Sequence, residues 1–391
     1  MHSLLHTDPA SSVTIRFDKR NSFSLAALQA ILTSRGINVT FSSRPRDGIM
    51  IYSLASPQAS EVYREVATAD THSVFIAGGP HPSARPNEVL KHFDFVVLGE
   101  GEQTLPELIN ALRNGEGVDR VRGIAFKSSN GIHQTDRRPY ADLNDYPPFV
   151  KNLRAPIEIS RGCPNSCKYC QTPRLFGRKM RHRSAATINF YSSYISDVRF
   201  ISPNAFAYGS DGRNLALDRI IELITSLRGR VYFGTFPSEV RPEFVTDELL
   251  EVIKERCANT AIHIGAQSGS DAVLTEVHRG HTRCDVEVAL ETCRAYDLTP
   301  VVDFIFGLPT ETKADQRASL ELIDSIVAAG GRVRAHYFTP LPGTPYEAEK
   351  PCPVSTEVKK KLGKLARDGK VTGRWEPSRG YIKRNDLKQM R

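Results

Sequence analysis

The 391-residue chain has one tryptophan, four methionines and seven cysteines, and no cysteine precedes position 163. An odd, late set of thiols is no disulfide framework and points to a reducing, cytoplasmic setting. No apolar run approaches the ~18 residues that cross a bilayer, and Met1–His6 does not read as a signal peptide, so no membrane partner is expected. Repeats and long low-complexity segments are missing. No G-x-G-x-x-G follows the first strand-like run, which disfavours a dinucleotide. Up to residue 350 there is no excess of either charge, forty Lys and Arg facing forty Asp and Glu. Residues 351–391 hold twelve cations against four anions, the whole of the net +8. That basic excess, with Lys359, Lys360, Lys361, Lys364, Arg367, Lys370 and Arg374, reads as a solvated helical face or as a dock for an acidic protein or RNA. Trp375 and Tyr381 are too few to make a nucleic-acid platform, and nucleic acid is not an expected partner.

What the chain does have is a cysteine triplet. Cys163, Cys167 and Cys170 stand as C-x3-C-x2-C within Arg161-Gly-Cys-Pro-Asn-Ser-Cys-Lys-Tyr-Cys-Gln-Thr-Pro173. The spacing gathers three thiolates, as an iron–sulfur cube or a zinc ion requires. A structural zinc site is closed by four ligands, and no fourth cysteine or paired histidine lies nearby. A 4Fe–4S cluster with one open iron fits the count better. The loop resembles that of radical S-adenosylmethionine (SAM) enzymes. The resemblance implies SAM on the open iron and Tyr169 near its adenine. Cys257, Cys284, Cys293 and Cys352 are scattered singly and read as small buried hydrophobes.

Residues 13–114 alternate strand and helix. Strands are expected at 13–17, 49–54, 74–77 and 94–98, and helices at 23–32, 58–67, 87–92 and 104–113. Such alternation packs as a parallel, Rossmann-like, doubly wound α/β sheet with ligands at its carboxyl edge. That edge carries Ser53 and Ser56, then Gly78-Gly79-Pro80-His81, then Gly99-Glu100-Gly101-Glu102. These segments resemble the cobalamin-binding domain that precedes many radical SAM domains, over about 1–115. The resemblance implies that these residues lie against cobalamin. The D-x-H-x-x-G signature of mutases is missing, so no histidine ligand to cobalt is expected; His81 reads as a turn residue with its ring in solvent. Residues 116–150 read as a linker with a hairpin, ending in the non-helical Asp145-Tyr-Pro-Pro148.

From 151 to 350 the alternation resumes, with strands at 157–160, 198–202, 231–235, 261–266, 301–306 and 334–339. Six βα units make a partial TIM-like barrel, with chemistry at the strand C-termini. The cysteine loop follows the first strand directly. Ile264-Gly-Ala-Gln-Ser-Gly-Ser270, Phe304-Ile-Phe-Gly-Leu-Pro-Thr-Glu311 and Thr339-Pro-Leu-Pro-Gly-Thr-Pro-Tyr346 resemble the later strand ends of radical SAM enzymes with cobalamin domains. The resemblance implies SAM contacts from Gln267 and Ser268. The Gly-Gly-Glu common at the second strand is replaced by Phe206-Ala-Tyr-Gly-Ser-Asp211, leaving Tyr208, Ser210 or Asp211 for the SAM amine. Glu239 and Arg241 could take the SAM ammonium and carboxylate, or pair with each other. A basic run from Arg174 to Arg183 follows the cluster. A C-terminal extension over 351–391 completes the chain.

The resemblance implies a cobalamin-dependent radical SAM C-methyltransferase acting on an sp3 carbon through a 5′-deoxyadenosyl radical and methylcobalamin, fed by an external one-electron reductant. It further implies a protein or peptide substrate, a glutamine of methyl-coenzyme M reductase being one candidate of the archaeal type. An isomerase or cyclase without functional cobalamin and a plain iron–sulfur electron carrier stand as alternatives. A methylthiotransferase would need a second cysteine triplet before the barrel, which the chain lacks.

Overall fold

The structure, a computed structural model, describes residues 12–377. Met1–His6 and the tail beyond 377, with Tyr381, lie outside them. Two compact units emerge, one of residues up to 163 with 171–195, the other of 164–170 with 196 onward.

The first unit runs β1 (Val13–Arg16), α1 (Ser22–Ser34), β2 (Val39–Ser42), β3 (Gly48–Ser53), α2 (Ala59–Ala67), β4 (Ser73–Gly78), α3 (Pro80–Ala84), α4 (Pro86–Val89), β5 (Phe95–Val97), α5 (Thr104–Asn114), β6 (Ile124–Ser128) and β7 (Gly131–Gln134). The sheet order is β2-β1-β3-β4-β5-β6-β7. The first five strands are parallel, and β6 and β7 join antiparallel. Alternation in β3 shows why helices cover both faces. Ile49 and Ile51 pack with Leu25 and Leu32 of α1 and Leu108 and Leu112 of α5. Met50 and Tyr52 pack the other way, with Val66 of α2 and Val89 of α4. The doubly wound sheet is therefore as expected, and its order reverses between β1 and β3, the position at whose carboxyl edge such sheets bind ligands. The hairpin assigned to a linker is instead sheet: Phe95 of β5 pairs with Phe126 of β6.

The same unit continues through β8 (Ile157–Glu158), β9 (Ser160–Arg161), α6 (Thr172–Phe176), β10 (Arg181–His182) and α7 (Ala185–Ser192). Strand β9 pairs antiparallel with β10. The division between units thus falls later than the boundary expected at 151.

The second unit contains β11 (Asp197–Val198), β12 (Phe200–Ile201), α8 (Leu217–Ser226), β13 (Arg230–Val231), α9 (Asp247–Arg256), β14 (Ala261–Gln267), α10 (Asp271–Glu276), α11 (Arg283–Ala295), β15 (Thr299–Phe306), α12 (Lys313–Ala328), β16 (Arg332–Tyr337), α13 (Thr356–Arg367) and β17 (Val371–Arg374). Strands β11 and β13 pair in parallel, as do β14-β15-β16-β17 in that order. Val240 bridges to Ile264. The βα repeat matches expectation. Strand β17 and α13 do not: the basic extension is part of the sheet up to Arg374. Val358, Leu362 and Leu365 of α13 are buried at helical spacing. Lys361 pairs with Asp324 at 2.6 Å, so much of the basic run is the solvated side of a packed helix.

Candidate active site

The cysteine loop begins at a forced turn. Gly162 adopts φ +87°, and a Cβ there would collide with the carbonyl of Lys179, so only glycine passes from β9 into the loop. The Cys163 amide donates to Gly177 O at 3.1 Å, and the Cys170 amide to Cys167 O at 3.1 Å. Cys167 is buried. Arg279 Nη1 lies 3.9 Å from Cys167 Sγ, and Nη2 donates to Gly265 O at 2.7 Å. Tyr169 packs partly buried against Val273, Val277, Leu308, Phe338 and Tyr346. Among the described residues no three His, Cys, Asp or Glu groups converge on a single-ion site. A cube differs from one ion in taking each thiolate at a separate iron.

Gln267 holds a left-handed backbone at φ 74°. Its side chain folds over Gly265, where a Cβ would fall 2.7 Å from Gln267 Nε2 and 2.9 Å from Arg279 Nη2. Glycine at 265 is what lets these two groups lie together. Arg241 is buried and does not pair with Glu239. Its Nε donates to Glu243 at 2.5 Å and its Nη2 to Arg279 O at 2.5 Å. Its Nη1 is buried with no hydrogen-bond partner, and so is Nδ2 of Asn204. Asn204 is tied to the Arg241 backbone, its Oδ1 accepting from the Arg241 amide at 3.4 Å. His281 sits beside them, its Nδ1 3.6 Å from Glu243. Burial, with Arg279 and Arg241 nearby, pushes its imidazole down to about 2, so it is neutral.

Several expected SAM contacts are otherwise engaged. The Ser268 hydroxyl is fully buried, accepts from the Ser270 amide at 3.2 Å and lies 3.4 Å from Ser319 Oγ. Ser210 Oγ donates to Ala207 O and accepts from the Gly212 amide. Tyr208 is buried, which pushes its phenol up to about 12. Asp211 is exposed and accepts from the Arg213 amide at 2.9 Å. Asn204, rather than these three, brings an orphaned polar group to the end of the second strand. A single Asn in Ile-Ser-Pro-Asn204 gives no pattern to find. Glu239 pairs with Arg334 at 3.0 Å.

At the carboxyl edge of the first sheet, Asp18, Asn21, Ser24 and Gln58, which the sequence did not single out, tie the β1 and β3 ends together around Ser53. Asn21 Nδ2 donates to Ser53 O at 2.5 Å and to Gln58 Oε1 at 3.1 Å, while Gln58 Nε2 donates to Asp18 at 2.9 Å. Ser53 Oγ meets Ser24 Oγ at 2.8 Å. His81 is buried rather than in solvent: Nε2 is 2.9 Å from Tyr63 Oη and Nδ1 3.0 Å from Ser56 Oγ. Both ring nitrogens of His81 are taken by these contacts. Burial lowers its pKa. Glu100 and Glu102 are both drawn to arginines, although the second carboxylate oxygen of Glu102 is buried without a hydrogen-bond partner. Glu100 binds Arg181 at 2.5 Å, and Glu102 binds Arg161 at 2.6 Å. Gly79, at φ +108°, is there because a Cβ would lie 3.0 Å from Leu54 O, and Pro80 opens α3. A Cβ at Gly78 would meet only Val97 Cβ at 3.7 Å, and one at Gly101 only Val97 Cγ1 at 3.5 Å. Gly99 differs again, since at φ +74° nothing lies within 4 Å of its missing Cβ.

Residues 157–323 match the radical SAM superfamily, and residues 42–109 match the B12 binding domain. The chain carries a radical SAM domain and a B12-binding domain. An uncharacterized methyltransferase of Pyrococcus horikoshii is 24% identical over 72% of the chain and 64% of that relative's length. The chain therefore spans just under two thirds of that relative. The tRNA-2-methylthio-N(6)-dimethylallyladenosine synthase of Saccharophagus degradans is 28% identical over 82% of the chain and 69% of that protein. In fold, the chain is similar to the radical SAM methyltransferase TsrM of Kitasatospora setae, solved with cobalamin and a 4Fe–4S cluster. The TM-score is 0.65 at 17% identity, covering 87% and 77% of the two chains. The cobalamin-dependent SAM radical enzyme OxsB gives 0.62 at 18% identity, covering 92% and 55%.

A radical SAM protein with a B12 domain uses a 4Fe–4S cluster, SAM and cobalamin, and needs a reductant. The donor set fits these groups. Three thiols stand on one loop with a cation beside Cys167, two orphaned N–H groups lie at Arg241 and Asn204, and the carboxyl edge has open backbone at Gly99. No described helix is long and apolar enough to cross a membrane.

One carboxyl of the second unit reports on burial. Glu311 accepts from the Gly307 amide at 2.7 Å and Gln316 Nε2 at 3.1 Å through one oxygen. The other oxygen has no partner, and burial pushes the group up to about 7. Between the usual glutamate value and 7 the folded chain keeps a proton that the unfolded chain releases. The resulting stability is full below about 4.5 and lost as pH rises through 7. Glu311→Gln, which keeps the acceptor and cannot ionise, is expected to be more stable than wild type at pH 8 by roughly 1–3 kcal/mol and equal at pH 5. Urea unfolding at the two pH values checks this.

Proposed function

We propose that this chain is a cobalamin-dependent C-methyltransferase that uses SAM both as radical source and as methyl donor. The observation that carries the reading is the cysteine loop beside Arg279, on a chain that also carries the B12 domain. Bound there, the cluster and cobalamin supply homolytic SAM cleavage and a transferable methyl group. The chain's part is position and exclusion of water. Arg241 Nη1 and Asn204 Nδ2 take the SAM carboxylate, a charge-assisted contact for two donors otherwise left unmade. Gln267, folded over Gly265, offers its amide to the same ligand, and Tyr169 walls its adenine side. Gly99 gives cobalamin a face without side chains, and neither nitrogen of His81 is available to cobalt.

An sp3 carbon of a cytoplasmic protein or peptide is the acceptor we favour, with glutamine as a candidate side chain. Methylthiolation of RNA, the activity named for the synthase relatives, is disfavoured because no cysteine precedes Cys163. Anaerobic reconstitution and product analysis decide the matter. Methyl transfer yields 5′-deoxyadenosine and S-adenosylhomocysteine in comparable amounts, only with cobalamin present. Deoxyadenosine without the homocysteine product would favour isomerisation or cyclisation, and neither product an electron carrier. Mass spectrometry of a deletion strain, seeking a peptide lighter by one methylene, names the substrate.

A further inference from the structure

One polar cluster has no part in the roles above. Strand register puts Gly265, Asp303 and Arg334 side by side across β14, β15 and β16. Residues two apart share a face of a strand. His263, Asp303, Arg334 and His336 therefore project from the same side, opposite the helix-packed Ile262, Val302 and Val333. The sequence hid this set, because Asp303 sits alone in Val-Val-Asp-Phe-Ile-Phe, an otherwise apolar strand.

The charged groups there are paired across the strands. Arg334 Nη1 is 3.0 Å from Glu239 and 3.5 Å from Asp303, and its guanidinium lies over Phe236. Arg199 is held by Thr235 at 3.1 Å and by the Tyr232 ring. Both histidines are neutral: burial and Arg334 lower His336, and take His263 down to about 4. Two atoms are left over. Asp303 is 7% exposed, yet its Oδ1 has no hydrogen-bond partner, and neither has the buried Nδ1 of His263. His336 Nε2 stands 4.0 Å from that Oδ1, too far to serve it.

A buried carboxylate oxygen without a donor costs folding energy unless a ligand completes it. Burial pushes the Asp303 carboxyl up to about 7, against the pull of Arg334 and Arg279, so near neutral pH it is present both ionised and protonated, while a cation would meet Arg334 and an anion would meet Glu239. An uncharged group that both donates and accepts matches what is missing. We propose that Asp303, with His263, anchors an amide group of the substrate, Asp303 Oδ1 accepting its N–H and His263 donating to its carbonyl. The inference rests on the methyl-acceptor reading above and narrows the acceptor to molecules that present a primary carboxamide, whether on a peptide side chain or as a small molecule.

The test is binding to the reconstituted full-length protein by calorimetry, with three probes. They are N-acetyl-Gly-Gln-Gly-amide, its glutamate counterpart N-acetyl-Gly-Glu-Gly-amide, and propionamide. Preference for a neutral amide over the glutamate peptide is expected. Asp303→Ala should weaken amide binding about tenfold, the worth of one buried hydrogen bond. Asp303→Asn preserves volume and an acceptor; it should weaken binding less, and it keeps the test valid if the alanine variant does not fold. Binding of propionamide but not of the peptide would support the amide site while refuting a peptide substrate. Equal affinity in wild type and both variants, tighter binding of the glutamate peptide, or no binding by either amide would overturn the proposal.

Discussion

Alanine at Cys163, Cys167 or Cys170 will leave a folded protein that retains no cluster and releases no 5′-deoxyadenosine above background. Each thiolate would hold one corner of a 4Fe–4S cube, so losing any one would open a second iron to solvent. Cys167 is the most telling, because it is buried and Arg279 lies 3.9 Å from its sulfur. Cys257 and Cys293 provide the control. Burial alone pushes both thiols up to about 12, so they stay protonated and inert at neutral pH. Cys257→Ala should keep wild-type iron content and deoxyadenosine yield. Iron-to-protein ratio and product chromatography check both statements, and a Cys167→Ala protein that still cleaves SAM would end the radical reading.

Arg161→Met is expected to lower unfolding free energy by about 3–5 kcal/mol, the cost of breaking a buried ion pair from one side. Arg161 grips Glu158 with two nitrogens, at 2.6 and 2.9 Å, reaches Glu102 at 2.6 Å and passes 3.4 Å from Glu100. Arg181 helps only Glu100, at 2.5 Å. Removing Arg161 leaves Glu102 and Glu158 without this arginine in a site where Glu102 is only 10% exposed. Such carboxylates must protonate or drag water inward. Denaturant titration of the variant should show the loss, largest at neutral pH and smaller where the carboxylates are neutral. A change under 1 kcal/mol would mean water already reaches these groups.

The elements that sequence periodicity exposed are those with a two-sided or helical apolar pattern. Strand β3 was legible because Ile49-Met-Ile-Tyr52 must be covered on both faces. Strand β2 was missed because Val39-Thr-Phe-Ser42 is short and lies at the sheet edge, where burial imposes little pattern. Strand β17 was hidden by its basic surroundings, and only its pairing with β16 declares it. The cysteines were plain from spacing. Glu100, Glu102 and His81 misled, since a turn rich in glycine and acid looks the same whether it faces a ligand or an arginine. Arg279, Asn204, Asp303 and His263 carry no local signature, because what makes them notable is a neighbour far away in sequence.

Parallel pairing of β16 with β17 through α13 has a consequence for how the chain is made. Every strand of the seven-stranded sheet has been synthesised by residue 134, and that sheet can close while translation continues. The edge of β16 meanwhile waits, uncovered, until residues 371–374 emerge. A ribosome stalled between those points would hold out a sticky β edge, so slow codons there should cost soluble yield more than slow codons elsewhere.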